Sequence, residues 1–292
     1  MEESTSNQKP NWESLILKDS NAADTLREEG VVKLPFLTES ELNEIRDFEQ
    51  DIHENGEPPT ILNGIHMTIW DSHTPYKLAV MRRLKELTQA ACDRTFKEYR
   101  ALSQQFIIKK KGPETTFPIH QDWCITNEKK FVSFNIWIPL QDVDVESGAM
   151  WIVKKSHRIK RDVRGAGYLF PNYLNIFEQL RPHMTSFSMK AGEALLFYHR
   201  TIHGSPSNLK CDGNRSVVQL GVLPKEAPME IYFQKSEDSP LETHNPADNF
   251  NFHYEKITEE SQVRPPTDSP SSVAGPMQVT DVTLEEVLEA IQ

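Results

Sequence analysis

Phe131-Val-Ser-Phe-Asn-Ile-Trp-Ile-Pro-Leu140 carries more architectural information than any other stretch of this chain. At the two-residue period of a β-strand, Phe134, Ile136, Ile138 and Leu140 fall on one face, and Ser133, Asn135 and Trp137 on the other. A strand with one wholly apolar face and one polar-aromatic face packs on a hydrophobic layer and lines a cavity behind it. Just upstream, His120-Gln121-Asp122 has the same period, with Pro118, His120 and Asp122 on one face and Ile119, Gln121 and Trp123 on the other. An imidazole and a carboxylate so placed can hold one face of a metal ion. A histidine from a neighbouring strand, His203, would complete the 2-His-1-carboxylate set that suits non-haem Fe(II) with positions left open. An H-x-D is weak evidence by itself in a chain with 10 histidines, so the weight rests on the constellation.

Arg215 extends it. Arg215, Val217, Gln219 and Gly221 alternate with Val218, Leu220 and Val222, which puts the guanidinium on the face opposite an apolar stripe. An inward arginine is costly unless an anion meets it, and its planar fork suits a carboxylate. A dicarboxylic 2-oxo acid would chelate the metal at one end and reach Arg215 at the other. His199 could pair with His203 only on a helix. Ala194 to Tyr198 reads as strand, with His203-Gly204 as the turn after it, so His199 is assigned a structural role, as is His157 in a turn.

Around this centre the chain reads as helices first and strands after. Residues 11–29, 39–55 and 76–98 have helical texture, and Thr38 with Glu41 forms a capping box before the second. A short strand is expected over 30–34. Later strands are expected over 103–111, 117–123, 131–140, 149–154, 185–189, 194–199, 214–223 and 229–233. The fold class is mainly β with flanking helices: a double-stranded β-helix (jelly roll, cupin-like) core over about 101–235. The expected organisation is a disordered segment 1–10, one domain over 11–256 with a helical part to about residue 100, and a tail over 257–292. That tail comprises a Pro/Ser-rich linker and a short acidic amphipathic helix with Leu284, Val287, Leu288 and Ile291 on one face. This helix is expected to pack on its own domain, the alternative being a docking element for a protein partner.

The net charge of −11 and pI near 5.4 argue against general nucleic-acid affinity. No secretory signal and no membrane span are expected from the sequence, and Cys92, Cys124 and Cys211, odd in number and without a C-x-x-C pair, suit a reducing cytoplasm.

Phe117-Pro-Ile-His-Gln-Asp-Trp123, Asn135-Ile-Trp-Ile-Pro-Leu140, Ser147-Gly-Ala-Met-Trp-Ile-Val153 through Ser156-His157, Gly192-Glu193, His203-Gly-Ser205 and Asn214-Arg215 resemble the phytanoyl-CoA dioxygenase family. This is a branch of the Fe(II)/2-oxoglutarate-dependent oxygenases. The similarity runs from about residue 100 to 225, and more loosely back to residue 30. The resemblance implies His120, Asp122 and His203 as iron ligands and catalytic centre, and Arg215 as receptor for the distal carboxylate of 2-oxoglutarate. It further implies Trp137 beside that co-substrate and Asn135 and Ser205 as polar contacts to it. The implied activity consumes O2 and 2-oxoglutarate, releases succinate and CO2, and hydroxylates an unactivated C–H of a small or carrier-bound metabolite. Asp122 disfavours halogenation, because halogenating relatives have a small residue there. Desaturation, epimerisation or ring closure by the same machinery stays open, as does a cupin-like metal-binding protein without turnover.

Two regions are candidates for substrate contact. One is the loop over 57–75 with His66, Met67, Trp70 and His73. The other is the insertion over 154–185, where seven basic residues (Lys154, Lys155, Arg158, Lys160, Arg161, Arg164 and Arg181) face two acidic ones (Asp162 and Glu178). Such a flap could draw in an anionic substrate, or be an ordinary solvated loop.

Overall fold

The computed structural model describes residues 10–53, 63–159, 161–165, 167–170, 173–210, 213–248, 267 and 269–292. The segment expected to be disordered, 1–10, lies almost wholly outside these residues. The helical texture over 11–29 resolves into α1 (Trp12–Ile16) and α2 (Ser20–Glu29). Leu17 is extended, and the Asp19 carboxylate accepts from the N–H groups of Asn21 and Ala22 to start a new helix. Gly30, at φ 78°, ends α2 in the left-handed region and turns the chain into β1 (Val31–Pro35). The Thr38–Glu41 capping box is present, each backbone N–H donating to the other's side chain, and opens α3 (Glu39–His53). Within the stretch read as a loop over 57–75, β2 (Ile65–Met67) and a 3-10 turn (Thr68–Trp70) form before α4 (Thr74–Thr95), and 57–62 lie outside the described residues.

The chain continues through β3 (Tyr99–Lys109), β4 (Phe117–His120), β5 (Phe134–Pro139), β6 (Trp151–Val153), α5 (Phe177–Leu180), β7 (Met184–Ser186), β8 (Glu193–Tyr198), β9 (His203–Ser205) and β10 (Arg215–Pro224). Two antiparallel sheets result, ordered β1-β8-β5-β10-β3-β2 and β4-β9-β6-β7. Phe134, Ile136, Ile138 and Leu140 join Val218, Leu220, Val222 and the apolar sides of α1 to α4 in one core. On the other face, Trp137, Leu195, Phe197 and Val217 meet Ile152 of the smaller sheet and Ala149 and Met150 just before its strand β6. This is the expected jelly roll with helices on its outer face. Ile136 is 1% exposed at the centre of the helical core, and its truncation to alanine would cost about 2–5 kcal/mol.

A third sheet of β11 (Ile231–Phe233), β12 (Leu241–His244) and β13 (Ser272–Ala274) adjoins the core. Within the expected linker, β13 pairs with β12, and residues 249–266 and 268 lie outside the described set. The last helix, α6 (Leu284–Ile291), is opened by a Thr283–Glu286 capping box. Val282 and Val287 are buried against Ile119, Val153 and Ile202, so the face that might have received a partner is used by the domain itself. Among the described residues, no helix is long and apolar enough to cross a membrane.

Candidate metal centre and its cavity

His120 and His203 are register partners at the paired edges of β4 and β9, and their ring centroids lie 4.2 Å apart. Gly204 lets the strands meet, since a Cβ there would stand 2.9 Å from the Phe117 carbonyl oxygen. His203 thus stands on a strand and not on the expected turn; the turn is completed earlier, by Thr201 N–H donating to Tyr198 O. Each imidazole is held the same way: Nδ1 lies 2.8 Å from Pro118 O for His120, and 2.9 Å from Thr201 O for His203. A carbonyl only accepts, so Nδ1 carries the proton and Nε2 presents its lone pair.

Asp122 lies just past the end of β4. Its N–H donates to His199 O at 2.8 Å, and its carbonyl accepts from Arg164 Nε at 2.8 Å. Its carboxylate oxygens sit 3.4 Å from His120 Nε2 and 3.5 Å from His203 Nε2. One ligand atom from each of the three residues falls within 4.8 Å of the others, as a single ion requires. Burial would raise the Asp122 carboxyl, but the imidazoles of His203 and His120, charged at the acid pH where a carboxyl titrates, outweigh it and hold its pKa below the ordinary range, so the group is ionised near pH 7. Burial and the neighbouring His120 push His203 down to about 4, which keeps it neutral near pH 7, as a metal ligand must be. Two imidazoles and a carboxylate with access to an open cavity fit a divalent ion with free positions.

The three residues share a cavity of about 210 Å³ with Arg215, Trp137, Asn135 and Ser205, so all seven candidates converge. Arg215 is 1% exposed, with its guanidinium carbon 5.4 Å from the centre of the Trp137 ring. Asn135 donates to Asp122 Oδ2 and accepts from Gln219 Nε2. His199, assigned a structural role, combines two: its backbone holds Asp122 while its ring lines the cavity. His157 is structural as expected, bonded to Arg27 O and stacked on Tyr198.

The period-two reading holds through Gln121, which turns away to accept from Tyr173 Oη, and fails at Trp123, which lines the cavity because the strand ends at His120. Of the 57–75 candidates, Met67 and Trp70 line the cavity, whereas His66 and His73 do not. The basic insertion is bound to its own chain. Arg164 forms a buried bidentate pair with Glu128, Arg161 meets Glu286 and the Thr280 carbonyl, Lys154 meets Glu29, and Arg181 meets Glu178. No described basic residue of the insertion lines the cavity, so its charge does not form an anion receptor there. Lys160 lies outside the described residues.

Sequence reasoning missed Lys109 and Phe170. Lys109 is fully buried, faces Arg215 across the β3–β10 pairing, and donates to Ser205 Oγ at 2.6 Å and Pro206 O at 2.7 Å. Burial, with Arg215 beside it, pushes its pKa down to about 5. Lys109-Lys110-Lys111 reads as a solvated charge run, and only the register reveals that its first member points inward. Phe170 stacks on His120 at a centroid distance of 6.1 Å, bringing the insertion over the centre.

Solved structures share the architecture at low identity. They include the non-haem α-ketoglutarate-dependent carbocyclase SnoK from nogalamycin biosynthesis (19% identity, 72% of this chain and 86% of that one, TM-score 0.51). HygX from Streptomyces hygroscopicus, with nickel, 2-oxoglutarate and hygromycin B bound, aligns at 13% identity over 71% and 88% with a TM-score of 0.51. The epimerase SnoN, in complex with Fe3+, α-ketoglutarate and nogalamycin RO, aligns at 17% identity over 89% and 95% with a TM-score of 0.53. At these identities the likeness is one of fold. No curated protein sequence matches the chain. The phytanoyl-CoA dioxygenase (PhyH) family model matches residues 20–215, from the start of α2 to Arg215, and on that extent the chain belongs to the phytanoyl-CoA dioxygenase family.

Proposed function

We propose that this protein is an Fe(II)- and 2-oxoglutarate-dependent dioxygenase that hydroxylates an unactivated C–H of a small or carrier-bound metabolite, with release of succinate and CO2. One observation carries the reading: a 2-His-1-carboxylate set and a buried arginine line a single cavity. A site that only stored a metal would have no use for the arginine. When bound, the iron with 2-oxoglutarate and O2 supplies the oxidation.

The chain's own residues supply position. His120, Asp122 and His203 would hold the metal through atoms already oriented by Pro118, Thr201, His199 and Arg164. Arg215 would receive the distal carboxylate, with Trp137 against its guanidinium and Ser205 and Lys109 completing a polar pocket. Asn135, a candidate co-substrate contact, would act chiefly by fixing which oxygen Asp122 turns to the metal. Trp70, Trp123 and Phe170 narrow the mouth and exclude water. A carbocyclase and an epimerase share this fold, which favours ring closure or epimerisation as the second reading. A cytoplasmic setting is in keeping with Cys92 and Cys124, buried free thiols pushed up to about 12 by burial.

The test is succinate formation from 2-oxoglutarate under air by the Fe(II)-loaded protein. Iron-dependent succinate, reduced by loss of Arg215, supports an oxygenase. Stoichiometric iron binding without succinate, across a broad set of candidate substrates, would instead identify a non-catalytic metal protein.

A further inference from the structure

Three amides run from the metal carboxylate to the cavity wall. Asn135 Nδ2 donates to Asp122 Oδ2, Gln219 Nε2 donates to Asn135 Oδ1 at 3.0 Å, and Gln105 Nε2 donates to Gln219 Oε1 at 3.2 Å. The polarity is fixed from one end, because carboxylate oxygens only accept. Each amide turns one of its two N–H groups toward Asp122 and its carbonyl outward. The series therefore ends at Gln105 Oε1, a buried acceptor in a residue 6% exposed that lines the cavity, and no donor reaches it among the described residues. Buried acceptors in native proteins are met by protein, water or ligand.

The backbone is bent to aim this residue. Ser103 has φ 59°, a strained value for a non-glycine residue, and the β3–β10 register slips so that Gln105 faces Gln219 while Leu102 faces Gly221. Two residues of β3 thus oppose Leu220 alone, a bulge that keeps Gln105 on the cavity face. The charge distribution agrees. Among the described residues, the only carboxylate lining the cavity is Asp122, and the only lysine and arginine are Lys109 and Arg215, all at the metal and co-substrate end. Away from them the wall is mostly apolar, with Met67, Ile69, Trp70, Trp123, Ile125 and Phe170, and Ser103 and His199 as uncharged polar members.

We propose that Gln105 selects the primary substrate, and that this substrate is an uncharged, largely apolar molecule presenting a hydroxyl or N–H donor to Gln105 Oε1. The proposal rests on the oxygenase reading of the cavity. A carboxylate or phosphate at this point would meet a carbonyl oxygen and, among the described residues, no uncommitted cation, whereas a donor completes the series. The same contact polarises the amides back to Asp122, so the residue that recognises the substrate is felt at the metal ligand.

The experiment uses the full chain with Fe(II) and 2-oxoglutarate under anaerobic conditions, its visible charge-transfer band recorded first. Ligand-observed NMR then compares matched neutral probes, indole with 1-methylindole and 2-naphthol with 2-methoxynaphthalene, and adds 1-naphthoate as the anion. Indole and 2-naphthol are expected to bind about tenfold more tightly than their methylated partners, one hydrogen bond's worth. Gln105→Leu is expected to erase that preference, and Gln105→Met serves the same comparison if the leucine variant does not fold. Equal binding within pairs, a preference that survives the substitution, tighter binding of naphthoate, or no binding by either donor would overturn the proposal. An absent band sinks the oxygenase reading and this inference together, whereas a band without donor preference sinks the inference alone.

Discussion

The cavity has an inner end and a mouth, and they are built differently. At the inner end His120, His203, Arg215, Lys109, Asn135 and Trp137 all stand on strands, and their convergence follows from sheet register. At the mouth Trp70 stands on a 3-10 turn, Trp123 follows the end of β4, and Phe170 comes from the insertion. Among the described lining residues, charge follows the same division, with Asp122, Lys109 and Arg215 inside and none at the mouth. The lesson is a division of labour. The strands fix the metal and co-substrate positions within tight tolerances, while the loops shape substrate access without disturbing them.

This contrast is sharpened by substitutions on either side of it. His203→Ala should lower turnover by more than about 100-fold, since disturbing groups that merely orient metal ligands already costs about 10- to 100-fold. Iron content after gel filtration checks it, and an iron-replete, active variant would break the account of the inner end. Arg215→Met should raise the KM for 2-oxoglutarate by about 10- to 100-fold with iron retained, reflecting a lost charge-assisted pair. Succinate kinetics measure this, and an unchanged KM would remove Arg215 from co-substrate binding.

Lys109 tests the same end through pH. Its folded pKa of about 5 lies far below the ordinary lysine value, so between these limits the unfolded chain binds a proton that the folded cavity does not. Stability should therefore rise with pH across that window, by at most about 1.4 kcal/mol per pH unit from this group. Lys109→Met should flatten the rise between pH 6 and 9 in urea titrations. Identical slopes in the two proteins would mean that Lys109 is charged in the fold. At the mouth, Phe170→Ala should leave iron and 2-oxoglutarate binding intact and weaken substrate capture only about two- to tenfold, the scale of one aromatic contact. A loss of iron in that variant would erase the distinction between the two ends.

The division also explains what could be read from the sequence. Phe131 to Leu140 announced its two faces because strand alternation is local, and Arg215 announced its inward aim because Val218, Leu220 and Val222 mark the other face. Lys109 and Gln105 were hidden, since their direction depends on pairing with β10 and on a bulge at Ser103. The insertion misled for a related reason. Arg164 reads as a surface charge, yet Glu128 and the Asp122 carbonyl draw it into the interior. Trp123 was misdirected because alternation says nothing about where a strand stops.

The central claim is best tested by the visible spectrum of anaerobic protein titrated with Fe(II) and then 2-oxoglutarate. The account predicts a weak metal-to-ligand charge-transfer band in the wild-type protein, saturating at a single iron per chain, and none in Asp122→Ala. Iron-loaded wild-type protein that stays colourless at saturating 2-oxoglutarate, or an Asp122→Ala variant with the same band, would contradict it.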